Sequence, residues 1–376
     1  MSPPELFTPL RVGGLALANR IAVSPMCQYS ADDGAMNDWH LVHLGGLALS
    51  GAALVVVEAT AVAREGRISH GCTGLYTDNA EAAMKRVVDA MRRHSRAAIA
   101  VQLAHAGRKG SARVPWMGGG PLGAGESPWP TVAPSPIPFD RDWPVPHELS
   151  EPEIEALAEA FASATKRALR IGFDAIELHS AHGYLLHEFL SPLSNRRSDR
   201  YGGSLENRMR FPLMVARALR EAWPRDRALG ARLSAVDWAE GGFTLEEAIV
   251  YARALRDTGF DYLCVSSGGL VPWQRLEVAP GYQVPFAAAI RRAVPGIAIR
   301  AVGMIADPDQ AEEILASGSA DMVALARAFL DNPRWVWHAA ERFGVRLDYP
   351  PQYARSHPSV WPGSKLARAR APAPAG

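Results

Sequence analysis

The stretch Gly172-Phe173-Asp174-Ala175-Ile176-Glu177-Leu178-His179-Ser180-Ala181-His182-Gly183-Tyr184 carries both the fold and the chemistry of this chain. Its first half is a short apolar run without polar alternation, the pattern of a strand covered on both faces of a parallel sheet. Its second half sets two imidazoles three residues apart, with a phenol two further on, where that strand runs out. Side chains gathered at a strand end can hold an oxyanion with two donors and supply a proton from a third group.

Seven more runs of the same kind occur: Arg20 to Ser24, Ala53 to Glu58, Ala98 to Leu103, Leu229 to Leu233, Tyr262 to Ser266, Ile297 to Val302 and Asp321 to Leu325. Helical patterns lie between them. Ser150 and Glu153 form a capping box before the stripe Ile154, Leu157, Ala158, Phe161 and Ala168, and Thr244 with Glu247 repeats the device. Asp307-Pro308 and Asn332-Pro333 each place a cap residue before a proline at the first helical position. Eight β units, each followed by an α unit, predict an α/β protein folded as a single (β/α)8 TIM barrel over residues 1–365. The alternative is an open doubly wound sheet, but no strand–turn–helix here carries the Gly-x-Gly-x-x-Gly fingerprint. Residues 111–147, dense in Pro, Gly and Trp, form a long insertion after the third strand, and loops of that length are usually functional. Its Trp116, Trp129 and Trp143 are candidates to cap a site. The Ala/Arg/Pro-rich end, 366–376, is expected to be a disordered tail.

Bulk properties narrow the function classes. The 376 residues are 48% hydrophobic and 21% charged, ordinary for a globular protein with a large core. A net charge of +1 offers no electrostatic footprint for nucleic acid or anionic membrane. No apolar run approaches the roughly 20 residues that span a bilayer, and the first residues lack the basic and apolar regions of a secretory signal. Cys27, Cys72 and Cys264 are too few and too scattered for a disulfide framework or an iron–sulfur cluster. A cytoplasmic enzyme acting on small molecules is expected.

Barrel enzymes build their sites at the C-terminal ends of the strands. Here those ends carry Ser24 to Tyr29, Glu58-Ala59-Thr60, Gln102 to His105, His179 and His182, Arg232, Ser266 to Gly269, Ala301 to Gly303, and Ala326-Arg327. Glycines cluster after strands six to eight, where barrels commonly hold a phosphate on backbone N–H groups, and Arg327 is a fitting cation. A phosphate-bearing cofactor is implied. A His-x-x-His pair also suits a metal, with His187 and Glu188 as candidate further ligands.

Ser24-Pro25-Met26-Cys27, Gln102 to Arg108, His179-x-x-His182-Gly183-Tyr184, Phe189 to Pro192, the run Arg197 to Arg208 and Ser266 to Gly269 together resemble the Old Yellow Enzyme family. Cys27 with Tyr29, and Pro351 to Arg355, resemble its thermophilic-like and xenobiotic-reductase branch. The resemblance runs from about Leu6 to Tyr353. It implies non-covalent FMN, reduction by NADPH or NADH, and reduction of activated C=C bonds in enones, maleimides or nitro compounds. It implies that Ser24, Pro25, Met26, Cys27, Ala59, Gln102, Arg232, Gly268, Gly303, Ala326 and Arg327 hold the flavin. His179 and His182 would bind the substrate's oxygen, Tyr184 would protonate its α-carbon, Tyr29 would hold it from the other side, and Cys27 would tune the flavin. Arg355 resembles an arginine that reaches a neighbouring subunit's site, which implies a homodimer or homotetramer. Ala326 departs from the family, which often has glycine there. Rival readings are a metal-dependent hydrolase on the same fold, a flavin barrel acting on RNA, and a flavin-binding protein without catalysis.

Overall fold

The computed structural model describes residues 3–367. Among these, eight parallel strands close into a barrel: β1 Ile21–Val23, β2 Leu54–Ala61, β3 Ala98–Ala104, β4 Ala175–Ser180, β5 Ala228–Ser234, β6 Tyr262–Ser266, β7 Ala298–Val302 and β8 Met322–Leu325. Each expected run is one of these strands, and β8 pairs with β1 to complete the ring. The outer layer is α1 Asp38–Ala48, α2 Asp78–His94, α3 Glu151–Ile171, α4 Leu205–Ala222, α5 Leu245–Thr258, α6 Val284–Ala293, α7 Pro308–Ala316 and α8 Trp335–Arg342. The (β/α)8 fold is therefore as expected.

The strands read as continuous apolar runs because both of their faces are buried, against different partners. Val55, Val57, Ile99, Val101, Ile176 and Leu178 join the helix stripes, including Ile154, Phe161 and Ala168, in the outer core. The alternate residues point into the lumen and are mostly small: Ala22, Ala100, Ala175, Ala228 and Ala324. Small side chains there leave room for Tyr262, whose ring a Cβ at the paired Gly230 would strike at 2.2 Å. An N-terminal hairpin, Leu10–Val12 with Leu15–Leu17, sends Val12 and Leu17 into this same cluster. Its turn packs so closely that a Cβ at Gly14 would sit 1.9 Å from the Asp226 carbonyl oxygen, just before β5. The hairpin thus plugs the N-terminal end of the barrel, and sequence periodicity had not signalled it.

Capping follows the sequence in most places. Asp307 accepts from the N–H groups of Asp309 and Gln310, and Thr244 exchanges hydrogen bonds with Glu247. At Asn332-Pro333 the expectation fails. A short helix, Arg327–Asp331, ends there, α8 starts only at Trp335, and the Asn332 side chain accepts from Arg334 N–H instead. Leu366 and Ala367, placed in the expected tail, close a short helix from Ser364, and the rest of that tail lies outside the described residues. No helix among the described residues is long and apolar enough to cross a membrane.

A bulge in β2 decides what faces the mouth. The register with β3 skips from Val57 to Ala59, so Ala59 comes opposite Gln102 and Glu58 is displaced. Glu58 accepts from the backbone N–H of Gln28 at 2.9 Å and lies 3.5 Å from His40 of α1. Burial raises the Glu58 carboxyl to about 8 and lowers His40 to about 4, so both are neutral near pH 7. Because the folded value of Glu58 lies above that of the unfolded chain, its stabilising contribution is complete only below about pH 4 and is lost as pH rises through 8. Glu58→Gln cannot ionise. It is expected to flatten the decline in melting temperature between pH 6.5 and 8.5, and an unchanged slope would show that Glu58 is already charged in the native protein.

Candidate active site

The three side chains of the opening motif meet at the end of β4. The rings of His179 and His182 lie 5.2 Å apart at 87°, and those of His179 and Tyr184 5.0 Å apart at 88°. Strand geometry accounts for His179, which follows Glu177 into the lumen side. The other two depend on a strained turn. His182 has φ 59° and Gly183 φ 72°, left-handed values that cost a non-glycine residue of order 1–2 kcal/mol. The turn is held by neighbours. Ser234 Oγ accepts from His182 N–H at 3.0 Å, and His187 Nδ1 accepts from Gly183 N–H at 2.9 Å. A Cβ at Gly183 would fall 2.3 Å from the Gly269 carbonyl oxygen, so only glycine lets the loops after β4 and β6 pack this closely there.

The hydrogen-bond network assigns the imidazole tautomers. His179 Nδ1 accepts from Ala181 N–H at 3.3 Å, which leaves Nε2–H as its donor. His182 Nε2 lies 2.7 Å from Ser266 Oγ. Ser266 and Ser267 both donate their hydroxyls to Gln283 Oε1, at 3.2 and 2.7 Å, which leaves the Ser266 oxygen to accept from His182 Nε2–H. The proton of His182 then sits on Nε2. Burial, reinforced by the Arg232 and Lys109 cations, holds both imidazoles well below their usual range and keeps them neutral. Burial also drives Tyr184 well above the usual phenol range, with Cys27 and Tyr29 adding to the effect and Arg232 opposing it. Tyr184 therefore holds its proton at any physiological pH.

The loop after β1 faces these groups. Tyr29, at φ 51°, hydrogen-bonds Cys27, and burial raises both the Tyr29 phenol and the Cys27 thiol. Trp116 of the 111–147 insertion packs edge-on against Tyr29 with centroids 5.8 Å apart, at the rim of the mouth. Trp129 instead ties the insertion down, donating to the Glu65 carbonyl and packing on His70 and Arg67. Trp143 packs on Phe139.

Lys109 was assigned no role from sequence, yet it joins the parts. Its ammonium donates to the carbonyls of His182 and Gly269 at 2.8 and 2.9 Å, and lies 5.1 Å from the Tyr184 ring centroid. Burial lowers it to about 8. Nothing in the local sequence distinguishes Lys109 from a solvated loop lysine, because its partners come from two distant segments, the loops after β4 and β6. His187, the candidate third metal ligand, has both nitrogens engaged: Nδ1 by Gly183 and Nε2 by Asp237 at 2.9 Å. Glu188 accepts from Arg108 N–H. Among the described residues no group of three or more His, Cys, Asp and Glu is placed to hold a metal ion.

The cofactor residues surround the same mouth. A cavity of about 420 Å³ runs from His182 and Arg232 past Ser266, Gly303 and Met304 to Ala326, Arg327 and Ala328. Gly303, at φ 111°, leaves space that a Cβ would fill at 2.3 Å from Gln283, and Gly268 has φ 68°. Ala326 has φ −114°, a conformation that needs no glycine, which explains how alanine is accommodated. Arg232 Nε and Ser24 Oγ are buried without a partner. Gln102 donates its amide N–H to Glu177 at 2.8 Å, which leaves its carbonyl as an acceptor. An amide acceptor, a guanidinium whose buried Nε is unpaired, and a glycine-lined pocket ending at an arginine fit FMN: an imide edge, a ring that becomes anionic on reduction, and a phosphate. Pro25 and Met26 enter through the β1 loop, and Ala59 through the β2 bulge. Arg355 does not join this cluster within its own chain. It is exposed on the turn Pro351–Ser356, which packs through Tyr353 on Trp337 and Arg334 of the outer layer.

Comparison with known proteins agrees with this geometry. The NADPH dehydrogenase of Geobacillus thermodenitrificans is 45% identical over 352 residues, 93% of this chain and 98% of that protein. Morphinone reductase, solved with tetrahydroNAD, is 30% identical, with 93% of each chain covered and a TM-score of 0.76. The solved complex of 2-naphthoyl-CoA reductase has a TM-score of 0.81 at 24% identity. The match covers 92% of this chain but about half of that longer one (53%), so it speaks for the fold alone. Residues 5–344 match the sequence pattern of the NADH:flavin oxidoreductase / NADH oxidase family. The chain belongs to that family, of the Old Yellow Enzyme type, and is an FMN-dependent oxidoreductase that draws electrons from a reduced nicotinamide.

Proposed function

We propose that this protein is an ene-reductase, acting on the activated C=C bond of α,β-unsaturated carbonyl, maleimide or nitro compounds. The observation that carries the reading is the convergence of a second neutral imidazole and a protonated phenol each about 5 Å from the neutral His179 ring, beside the pocket that fits the flavin. When bound and reduced by NADPH or NADH, FMN supplies the hydride for the β-carbon. The protein's own residues do the rest. The His179 and His182 imidazoles bind and polarise the substrate's oxygen as negative charge gathers on it. Their neutrality matters, since each keeps one fixed N–H and needs no change of protonation state. Tyr184 holds the proton destined for the α-carbon, and the Lys109 ammonium near its ring favours the phenolate left behind. Tyr29, supported by Trp116, holds the substrate from the opposite side, and Cys27 sets the environment of the flavin beside it. Arg355 is proposed to complete the site of a neighbouring subunit in a homodimer or homotetramer. The three free thiols accord with a reducing cytoplasm.

The test is anaerobic: the purified protein is reduced with NADPH or NADH, then mixed with 2-cyclohexenone, N-ethylmaleimide or a nitroalkene. A protein that carries FMN and is reduced by nicotinamide, but whose flavin none of these acceptors reoxidises, would sink the ene-reductase reading.

Tyr184→Phe is expected to slow reoxidation by enones by about 10²-fold or more, the lower end for loss of a positioned acid, while reduction by NADPH stays within about two-fold. Equal loss in both half-reactions would remove Tyr184 from the proton-donor role. Lys109→Met unties the loops of His182 and Gly269, and should slow the same oxidative step by roughly ten-fold without loss of bound FMN. An unchanged rate would reduce Lys109 to a surface contact. Arg355→Ala should raise the apparent Kd for a phenolic ligand if subunits share sites, and light scattering should show an oligomer. A monomer with unchanged affinity would refute sharing.

A further inference from the structure

Below the mouth, in the centre of the barrel, lies a buried ion pair that the chemistry above does not use. Glu177 of β4 and Arg300 of β7 face each other across the lumen, both side chains fully buried, with the guanidinium Nη2 donating to Glu177 Oε2. The Arg300 guanidinium lies 5.0 Å from the Tyr262 ring centroid, in the space that Gly230 leaves open. The other carboxylate oxygen, Glu177 Oε1, accepts from Gln102 Nε2 at 2.8 Å. Gln102 and Glu177 are paired residues of neighbouring strands, so the contact is set by barrel register.

Stability does not account for this arrangement. Removing two charges from water costs about as much as their attraction returns, and apolar side chains of the same volume usually serve a core as well or better. The alanine-lined lumen around the pair would accept such side chains. What the pair provides that they would not is a carboxylate acceptor at one fixed position. A glutamine amide can turn over and present either its oxygen or its nitrogen, and only an anchoring partner selects one face. Both oxygens of Glu177 are engaged as acceptors, so it selects the NH₂ group and turns the Gln102 oxygen away from itself. Arg300 holds the second oxygen, Oε2, and so fixes the carboxylate in place.

We propose that Glu177 and Arg300 are a positioning pair that fixes the amide orientation of Gln102 and so presets its carbonyl for the imide N–H of the flavin. The inference rests on FMN being the cofactor, and it assigns the pair to cofactor affinity rather than to proton or hydride transfer.

The test is FMN binding to apoprotein, followed by quenching of flavin fluorescence and by the absorption spectrum of the bound flavin. E177L/R300M removes the acceptor and both charges together, and is expected to bind FMN about ten-fold more weakly and with an altered spectrum. Gln102→Leu should show the same loss, and the triple variant should be no weaker than Gln102→Leu alone, because the pair acts through Gln102. E177D keeps the ion pair while drawing the carboxylate back by one methylene. It should weaken FMN several-fold, and it gives a reading even if the apolar variant does not fold. Wild-type affinity in E177D or in folded E177L/R300M, or a triple variant clearly weaker than Gln102→Leu, would overturn the proposal. Failure of the wild-type apoprotein to take up FMN would instead overturn the cofactor assignment.

Discussion

Closure of the parallel barrel is the constraint on which the rest depends. Once β8 pairs with β1, every strand residue must face either the helices or the lumen, and the register decides which. Large branched residues go outward into the helix layer, and alanines go inward. The N-terminal hairpin fills one end of the lumen, Tyr262 and the Glu177–Arg300 pair fill the middle, and the C-terminal end is left for chemistry. His179 and Arg232 converge because they sit at paired positions on neighbouring strands, two residues beyond the level at which Gln102 pairs with Glu177.

The electrostatics of the mouth follow from where the cations are placed. Arg232 and Lys109 lie near both histidines, and with burial they keep the rings neutral. The nearby acids are neutralised too, Glu58 and Glu188 each being raised to about 8 by burial. Near neutral pH the mouth is thus a positively biased pocket whose hydrogen-bonding groups are themselves uncharged. That is the setting in which fixed donors act strongly on a developing oxyanion. Lys109 adds a mechanical part, since one ammonium spans the β4 and β6 loops that glycine brings into contact.

Much of this was legible in the chain. The eight strands could be read because a strand buried on both faces is continuously apolar, and the strand-end residues because the fold puts them at one end. The family motifs then gave FMN, and suggested the roles proposed for His179, His182 and Tyr184. Other features had no local signal. The hairpin is only two three-residue strands, and Asn332-Pro333 looked like a helix start because the sequence does not show that a short helix ends there. Trp116 and Trp129 are indistinguishable by context, yet one packs on Tyr29 and the other anchors the insertion.

By itself the sequence determined the element order, the barrel class, the flavin family and which residues would reach the mouth, because periodicity and motif spacing are properties of neighbouring residues. Only the tertiary structure decided which nitrogen of each histidine is the donor, that Lys109 belongs to the site, that the β2 bulge turns Ala59 rather than Glu58 toward Gln102, and that Glu177 is paired with Arg300. Apart from the His179 ring, set by Ala181 two residues on, each of these depends on groups 70 to 160 residues apart, or on a one-residue shift in register. Distances of a few ångströms between such groups are set by packing and closure of the whole barrel, and no local pattern encodes them.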